Sequence, residues 1–281
     1  MAQIKRKSLQ KERLRRAGVP VARGALVRTR EEGERLAREV GFPLVAKPDI
    51  GVGAAATWRI DDGAGLAAFF ARKPAVDYVF EEFVPGDLFS FDGLAGRDGR
   101  IVFHTVHAFS RGIMEAVNED ADLFYYSLRD IPADAEEVGR KAVGAFAIRE
   151  RFFHFEFFRA HRDGRVVALE MNARPPGGLT TDMFNYASDI DVYRGWAQLV
   201  VRGRWTEAAG RRYHCCYVGR KHRRRYARSH AEILDACGHL LVHHEPIDSA
   251  FRAAIGDYGY LARSADLGEI LEAARLIQEP G

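Results

Sequence analysis

The middle of the chain carries two apolar stretches that meet at an Asp-Gly pair. Residues 151–172 read RFFHFEFFRAHRDGRVVALEMN, and apolar side chains recur at alternate positions on both sides of Asp163-Gly164. Alternation with a period of two predicts half-buried strands, and a short Asp-Gly connection between two such runs predicts a hairpin. Because a hairpin pairs its strands antiparallel, we expect an antiparallel sheet in this part of the chain.

Polar residues interrupt this hairpin near its end. Glu170, Asn172 and Arg174 are spaced by two, so their side chains should share one face of the sheet, and the turn should bring Glu156 beside Glu170. Two carboxylates among apolar residues are costly unless a cation pairs with them, and two Glu with one Asn suit Mg²⁺. Arg174 suits phosphate or carboxylate. The alternative is a strand edge with a surface Glu–Arg pair. The Pro-Pro-Gly-Gly sequence that follows favours a functional site over that alternative.

Two further motifs lie closer to the N-terminus. Lys47 ends the apolar run LVAK, and the small-residue loop GVGAAA follows at residues 51–56. Such a loop lets backbone N–H groups approach an anion, although the motif is neither a P-loop nor GxGxxG, and a plain tight turn is the alternative. The run YVFEEFVPG ends a strand in Glu81 and Glu82, and its free edge could hold a purine; a hairpin with solvated acids is the alternative.

The rest of the chain alternates short strands with helices. Thr29 with Glu32 and Ser229 with Glu232 have capping-box spacing and predict helix starts, and the polar segment 110–130 predicts an ordered loop or lid. Strands meet mostly through hairpins, which favours an α+β fold of antiparallel lobes over a doubly wound parallel sheet. The predicted organisation is an N-terminal helix and linker (1–21), a small lobe (22–84), a large lobe (85–204) and a small C-terminal α+β extension (205–281).

Bulk composition narrows the class of protein. The 281 residues are 47% hydrophobic and 29% charged, which is ordinary for a globular chain, and no apolar run approaches the ~18 residues of a membrane helix, so no membrane partner is expected. Cys215, Cys216 and Cys237 form no disulfide framework, which favours a reducing, cytoplasmic location. Residues 211–230 hold eight Lys and Arg, but the remainder is net acidic, so a solvated or phosphate-facing loop is favoured over a nucleic-acid site.

In order and spacing, these motifs together resemble the ATP-grasp superfamily. The lysine-ended strand, the glycine-rich loop, the EEFVPG linker and the EMNARPPGG segment follow one another as they do in that family, over residues 5–204. The resemblance implies an ATP-grasp fold in which two antiparallel α+β lobes clamp ATP, with the glycine-rich loop as a lid on the small lobe. It also implies ATP and Mg²⁺ as cofactors, with two metal ions and with Mn²⁺ as a possible replacement.

The resemblance assigns roles to individual residues. Glu170 and Asn172 match the metal ligands of the closing motif, and Glu156 matches the further ligand on the neighbouring strand. Lys47 matches a phosphate-binding lysine, and Arg174 matches the arginine that faces the transferred phosphate, so these two are the predicted catalytic residues. The implied nucleotide-binding set is Lys7, Lys47, Gly51, Gly53, Ala54, Glu81, Glu82, Phe83, Val84 and Asp87.

Three departures from the family pattern stand out. Leu88 occupies the position where a ribose-binding acid is expected, and Asp87 is the substitute. Ala54, Ala55 and Ala56 replace the usual serine or further glycine of the loop. The family usually has an α/β domain of roughly a hundred residues before the first phosphate lysine, which is Lys7 here. The resemblance leaves three alternatives open: removal of that domain, its supply by another chain, or a protein that works without it.

The implied activity is an ATP-dependent ligase that activates a carboxylate as an acyl phosphate for attack by an amine. Its partners would be small-molecule acids and amines of amino-acid or natural-product type, and a homodimer is compatible with the sequence. Residues 175–178 and 110–130 are the expected substrate contacts. No general base is assigned: His104, His107 and His154 are candidates, but a single His on a strand more often has a structural role. The alternatives are a non-catalytic or partner-dependent ATP-binding subunit, and a nucleic-acid binder that uses the basic segment.

Overall fold

The computed structural model of the protein describes residues 2–51, 56–207 and 210–281. Its strands are β1 (Gly24–Val27), β2 (Leu44–Pro48), β3 (Trp58–Ile60), β4 (Tyr78–Glu82), β5 (Gly86–Ala95), β6 (Ile101–Phe109), β7 (Phe124–Ser127), β8 (Arg151–Ala160), β9 (Val166–Asn172), β10 (His214–Arg220), β11 (Leu241–Pro246) and β12 (Tyr258–Ser264). Its helices are α1 (Ala2–Lys5), α2 (Lys7–Arg16), α3 (Arg30–Val40), α4 (Gly63–Arg72), α5 (Ile113–Asn118), α6 (Ala133–Phe146), α7 (Thr180–Ser188), α8 (Val192–Arg202), α9 (His230–Cys237), α10 (Arg252–Ile255) and α11 (Leu267–Gln278).

Two antiparallel sheets organise the described residues. The smaller sheet has the strand order β1-β4-β2-β3, and the larger has the order β11-β12-β10-β7-β6-β5-β8-β9. All the strand pairs in these sheets are antiparallel, which confirms the predicted α+β class. The predicted hairpins are β5–β6 and β8–β9, and their turn glycines Gly99 and Gly164 have positive φ values that an L side chain rarely adopts.

Helices α3 and α4 cover one face of the small sheet. The predicted capping box at the start of α3 is present, since the Thr29 side chain accepts from the Glu32 N–H while the Glu32 carboxylate accepts from the Thr29 N–H. Phe69 of α4 is fully buried and makes edge-to-face contacts with Trp58, Tyr78 and other rings. These contacts give the small lobe a core of its own.

The large sheet buries one face under α2 and α6. Alternate residues of β5 and β8, including Phe91, Phe153 and Phe155, point to that face. Gly139 of α6 lies so close to the Phe91 ring that a Cβ there would come within 2.5 Å of it, so the contact requires glycine. Because side chains alternate across a strand, the intervening polar residues face the other way, towards the small lobe.

Residues after position 204 continue the large sheet. Strand β10 pairs with β7 on one side and with β12 on the other, and α11 packs against β10. The predicted boundary at 204/205 therefore does not separate two sheets. The predicted N-terminal unit is likewise part of a larger core, because Leu14 and Val19 are buried with the residues of β8 and α6.

The segment 110–130, predicted as a loop or lid, contains α5 and β7. The prediction missed β7 because this four-residue strand has little pattern of its own and is defined by its neighbours, β6 and β10. Helix α7, which follows the Pro-Pro-Gly-Gly loop, was also not predicted. Within the described ranges, no helix is both long enough and apolar enough to span a membrane.

Candidate active site

The closing hairpin places the predicted metal ligands side by side. Glu156 lies directly opposite Glu170 across β8 and β9, and His154 lies opposite Asn172. Both glutamate side chains are mostly buried. Arg174 follows on an exposed stretch, where its guanidinium donates to the Pro175 carbonyl at 2.7 Å. Strand alternation and the turn thus produce the arrangement that the sequence predicted.

The two predicted lysines lie on different elements, Lys7 on α2 and Lys47 on β2 of the small lobe. Lys7 Nζ lies 3.4 Å from the Glu170 carboxylate and donates to the Gly51 carbonyl at 2.7 Å. Lys47, at the end of β2, lies with its Nζ 2.6 Å from Glu81. Asp49 caps the start of α2 by accepting from Ser8 N–H at 2.8 Å, which ties this helix to the small lobe.

Lys11 is a functional candidate that the sequence reading missed. It lies one helical turn after Lys7, is 5% exposed, and places its Nζ 2.5 Å from the second oxygen of Glu81. The spacing of four residues on one helix was the available signal, because it puts Lys7 and Lys11 on the same face. Glu81 therefore lies between two ammonium groups, Lys11 and Lys47.

Burial changes the acid–base properties of these lysines. Burial lowers the pKa of Lys47 to about 8, and the nearby Glu170 carboxylate offsets this only in part. Burial also holds the pKa of Lys11 well below its usual range, with repulsion from Lys47 acting in the same direction. At neutral pH, Lys47 is still protonated, so it can act as a cation towards a phosphate.

The predicted linker, residues 81–84, lines the same cleft as these lysines. Glu82 accepts from the Arg23 side chain at 2.7 Å on the surface, and the Arg59 guanidinium lies 4.4 Å from the centre of the Phe83 ring. Asp87 is exposed and pairs with His161 at 2.9 Å, whereas Leu88 is 3% exposed.

A cleft of about 860 Å³ joins these elements. It is bounded by residues of both sheets, which include the predicted Lys7, Lys47, Gly51, Glu81, Glu82, Phe83, Val84, Asp87, Glu156, Glu170, Asn172 and Arg174. Gly53 and Ala54, also predicted for nucleotide binding, lie outside the described residues. Every predicted nucleotide-binding, metal-binding and catalytic residue in the sets above that the structure describes therefore lines one cleft.

The donor atoms at the proposed cation site determine which metal ion it could hold. Among the described residues, no group of three or more His, Cys, Asp or Glu side chains could hold a metal ion. Glu156, Glu170 and Asn172 nevertheless supply two carboxylates and one amide oxygen on adjacent strands, and Mg²⁺ usually takes few protein ligands because phosphate oxygens and water complete its shell. These residues fit a magnesium ion that is held jointly with a nucleotide.

A buried polar network lies beside this site. Asp92 is fully buried, and its carboxylate receives His154 Nδ1 at 2.5 Å, His107 Nδ1 at 2.7 Å and the Ser90 hydroxyl at 2.5 Å. Burial alone would lower the pKa of His154, but Asp92 and then Glu156 raise it to about 10. Burial would raise the pKa of Asp92, yet the adjacent imidazoles bring it below its usual range.

The three histidines predicted as candidate bases have different positions. Only His154 lines the cleft. His107 is fully buried, with its ring stacked on Phe184 at 5.7 Å. His104 faces Glu136 on the far side of the sheet, where burial and nearby arginines lower its pKa to about 4. A general-base role for His104 or His107 in this cleft therefore has no geometric support.

The Pro-Pro-Gly-Gly loop lines the cleft through Pro176 and Gly177. Gly177 lies against Phe251, where a Cβ would come within 2.8 Å of the ring, and Gly178 has φ +60° and lies against Ile255. Arg111 and Glu115, from the 110–130 segment, line the same cleft. Both segments that the sequence proposed for substrate contact therefore contribute residues to its lining.

The basic segment is engaged in ion pairs within the chain. Lys221 is 3% exposed and pairs with Asp120 at 2.6 Å, Arg223 pairs with the same carboxylate, and Arg224 donates to the Asp120 carbonyl at 2.6 Å. Arg228 pairs with Glu279. These contacts hold the end of α5 and leave less free positive charge for nucleic acid than the sequence suggested.

Part of the chain is similar in sequence to two bacterial enzymes. No family model matches the chain. The chain is 29% identical over 178 residues to the carbamoyl phosphate synthase large chain of Thermus thermophilus, covering 58% of this chain and 16% of that protein. It is 24% identical over 198 residues to the L-arginine-specific L-amino acid ligase of Bacillus subtilis, covering 66% of this chain and 47% of that one. The chain therefore spans less than half the length of either relative.

Solved structures share the fold over nearly the whole chain. N5-carboxyaminoimidazole synthetase from Staphylococcus aureus superposes with a TM-score of 0.74 at 14% identity, covering 98% of this chain and 71% of that one. The biotin carboxylase domain of a Hydrogenobacter thermophilus 2-oxoglutarate carboxylase, solved with MgADP, ADP and bicarbonate, gives a TM-score of 0.66 at 16% identity, covering 93% and 62%. These superpositions show that the chain has the ATP-grasp fold, as the resemblance of its motifs predicted.

Proposed function

We propose that this protein is an ATP-dependent ligase that joins a carboxylate to an amine through an acyl phosphate. The observation that carries the proposal is the convergence of Glu156, Glu170 and Asn172 with Lys7 and Lys47 on one cleft between two antiparallel lobes. The names of two sequence relatives support this proposal, because they describe a carbamoyl phosphate synthase and an amino acid ligase.

ATP and Mg²⁺ are the proposed cofactors, with two metal ions and Mn²⁺ as a possible replacement. Glu156, Glu170 and Asn172 would hold the metal, which would neutralise phosphate charge when bound. Lys7 and Lys47 would face the phosphates as cations, and residues 81–84 would line the base. The structure with MgADP bound to a related fold supports this assignment.

Charge and position explain how the residues of the cleft would act. The γ-phosphoryl group would pass from ATP to an oxygen of the substrate carboxylate, releasing ADP. The amine would then attack the acyl carbon and displace phosphate. Lys47 and Arg174 would offset the negative charge that spreads over the transferred group, so positioning and electrostatics would do most of the work.

The acid and the amine would bind at the end of the cleft formed by residues 175–178 and 110–130. Arg174 suits the carboxylate, and Phe251 supplies an apolar wall next to the loop that carries Arg174. The proposed substrates are small molecules of amino-acid or natural-product type. A homodimer and a cytoplasmic location belong to the same proposal, and the three buried, free cysteines are compatible with that location.

Trapping of the acyl phosphate with hydroxylamine tests the proposed ligase activity. A panel of acids, incubated with ATP, Mg²⁺ and hydroxylamine, should give ADP and a hydroxamate for at least one acid. Glu170→Gln should reduce turnover by roughly 100-fold or more, because it removes a charged ligand but keeps its shape. Circular dichroism should show that the variant keeps its fold. Absence of any ATP binding by the wild-type protein would exclude the proposal.

A partner-dependent or non-catalytic ATP-binding subunit is the second candidate. Leu88, in place of the expected ribose-binding acid, supports it, because the nearby Asp87 carboxylate pairs with His161. This candidate predicts that the wild-type protein binds ATP with Mg²⁺ but forms no hydroxamate from any acid. The same experiment therefore separates the two proposals.

A further inference from the structure

Asp92 is a buried carboxylate whose role lies outside the ligand set described above. It is fully buried in the middle of β5 and does not line the cleft. A buried charge is costly unless it is paired and hydrogen-bonded, and Asp92 has Ser90, His107 and His154 as partners. These hydrogen bonds hold the four side chains in one geometry.

The strand register connects this carboxylate to the cation site. Across β5, β8 and β9, one row of paired residues is Asp92, His154 and Asn172, and the next row is Ser90, Glu156 and Glu170. The His154 ring spans from one row to the other. Its Nδ1 lies 2.5 Å from Asp92, and its Nε2 lies 3.5 Å from the Glu156 carboxylate. Asp92 thus sets the orientation of a ring that touches a proposed metal ligand.

The other histidine on Asp92 does not reach the site. His107 bonds to the second carboxylate oxygen, and its ring packs against Phe184 and Tyr125 in the interior. Its exposed fraction is zero. Of the two histidines that bond to Asp92, His107 therefore packs in the core and His154 reaches the cleft.

We propose that Asp92 and His154 are a positioning pair, in which Asp92 fixes the His154 ring so that Nε2 orients the Glu156 carboxylate for cation binding. The inference rests on the proposed function, since Glu156 is a ligand only if the cleft binds a cation with a nucleotide. In many metal sites, a side chain that does not itself bind the metal orients a ligand that does.

Two matched substitutions separate positioning from packing. His154→Asn and His107→Asn each keep a polar nitrogen or oxygen near Asp92 and each delete the distal ring nitrogen. The probe is Mn²⁺ in the presence of the β,γ-imido analogue of ATP, with cation binding followed by electron paramagnetic resonance. Thermal unfolding of each variant measures the general loss of packing.

We expect His154→Asn to weaken Mn²⁺ binding by roughly 10- to 100-fold, while binding of the analogue without metal stays unchanged. His107→Asn should lower the unfolding temperature but leave the cation affinity as in the wild type. Asp92→Asn, if it folds, should weaken Mn²⁺ binding as His154→Asn does, although Asp92 does not line the cleft.

Three outcomes would overturn the inference. Wild-type cation affinity in His154→Asn would show that the ring does not position Glu156. An equal loss in His107→Asn would show general loosening of the sheet. If the wild-type protein binds neither the analogue nor Mn²⁺, the proposed function fails and the inference fails with it, whereas the first two outcomes leave the proposed function intact.

Discussion

Three buried lysines lie in the cleft where the nucleotide is proposed to bind. Lys7, Lys11 and Lys47 are each no more than 6% exposed, and they face the carboxylates of Glu81 and Glu170. Because burial disfavours the charged form of a lysine, the protonation of Lys11 and Lys47 depends on the carboxylates and on any phosphate that binds. The acid–base state of the cleft is therefore expected to respond to pH in the neutral to alkaline range.

Lys47 gives this expectation a testable form. Its pKa of about 8 means that it is protonated below pH 8 and loses its charge as the pH rises through that value. The kcat/KM for ATP should therefore fall above about pH 8. In Lys47→Arg the cation is retained at all accessible pH values, so this alkaline limb should move upward even if the rate at lower pH is reduced.

Lys141→Arg is the matched control, because Lys141 lies exposed on α6, away from the cleft. Its pH profile should coincide with that of the wild type. If the alkaline limb of Lys47→Arg stays near pH 8, the group that titrates there is not Lys47.

At the scale of elements, the basic segment acts as an anchor for α5. Lys221 and Arg223 both pair with Asp120, and Lys221 Nζ also lies 3.4 Å from the Ala116 carbonyl at the end of that helix. Helix α5 is short and lines the cleft through Ile113 and Glu115, so its position affects the proposed substrate end. The charge run that suggested nucleic acid in the sequence thus has an internal structural role.

Asp120→Asn should loosen α5. The residue has a φ of 51°, which asparagine tolerates well, so the change removes charge without adding backbone strain. It would leave the buried Lys221 ammonium without its carboxylate, and a charge-assisted hydrogen bond contributes about 1.5–3 kcal/mol. Hydrogen exchange of the amides of Ile113–Asn118 should therefore accelerate by roughly tenfold or more.

The control for this prediction is Glu279→Gln. It removes the partner of Arg228 in the same basic segment but does not touch α5. Exchange in α5 should remain at the wild-type rate in this variant. Equal acceleration in both variants would mean that the segment stabilises the lobe in general and does not anchor the helix.

At the scale of the whole molecule, the large sheet depends on its last strands. Strand β10 lies between β7 and β12, and Cys215 and Tyr217 are fully buried in a core shared with Leu179 and Met183 of the preceding segment. Removing these strands would expose both the unpaired edge of β7 and the apolar surface beneath it. The residues after 204 are thus needed to complete the large lobe.

A chain that ends at Arg204 should therefore fail to fold cooperatively. Its far-ultraviolet circular dichroism should lose strand signal, and heating should give no sharp transition, while the full chain, prepared in the same way, unfolds in one or more cooperative steps. A cooperative transition in the shortened chain at a temperature close to that of the full chain would support the boundary that the sequence predicted at 204/205.

Local patterns in the sequence determined much of the fold and of the site. Alternation and an Asp-Gly turn were enough to predict β8, β9 and the pairing of Glu156 with Glu170, because register within a hairpin follows from its turn and its apolar face. Capping boxes predicted the starts of α3 and α9, because the groups that bond lie three residues apart.

Tertiary structure alone decided which distant groups meet. The ion pairs of Glu81 with Lys11 and of Asp120 with Lys221, and the placement of Asp92 beside His154, join residues far apart in the chain. Strand β7 and the continuation of the sheet past residue 204 likewise depend on neighbours from elsewhere in the chain. The physical reason is that periodicity and caps act over a few residues, whereas burial brings together groups whose meeting no local pattern encodes.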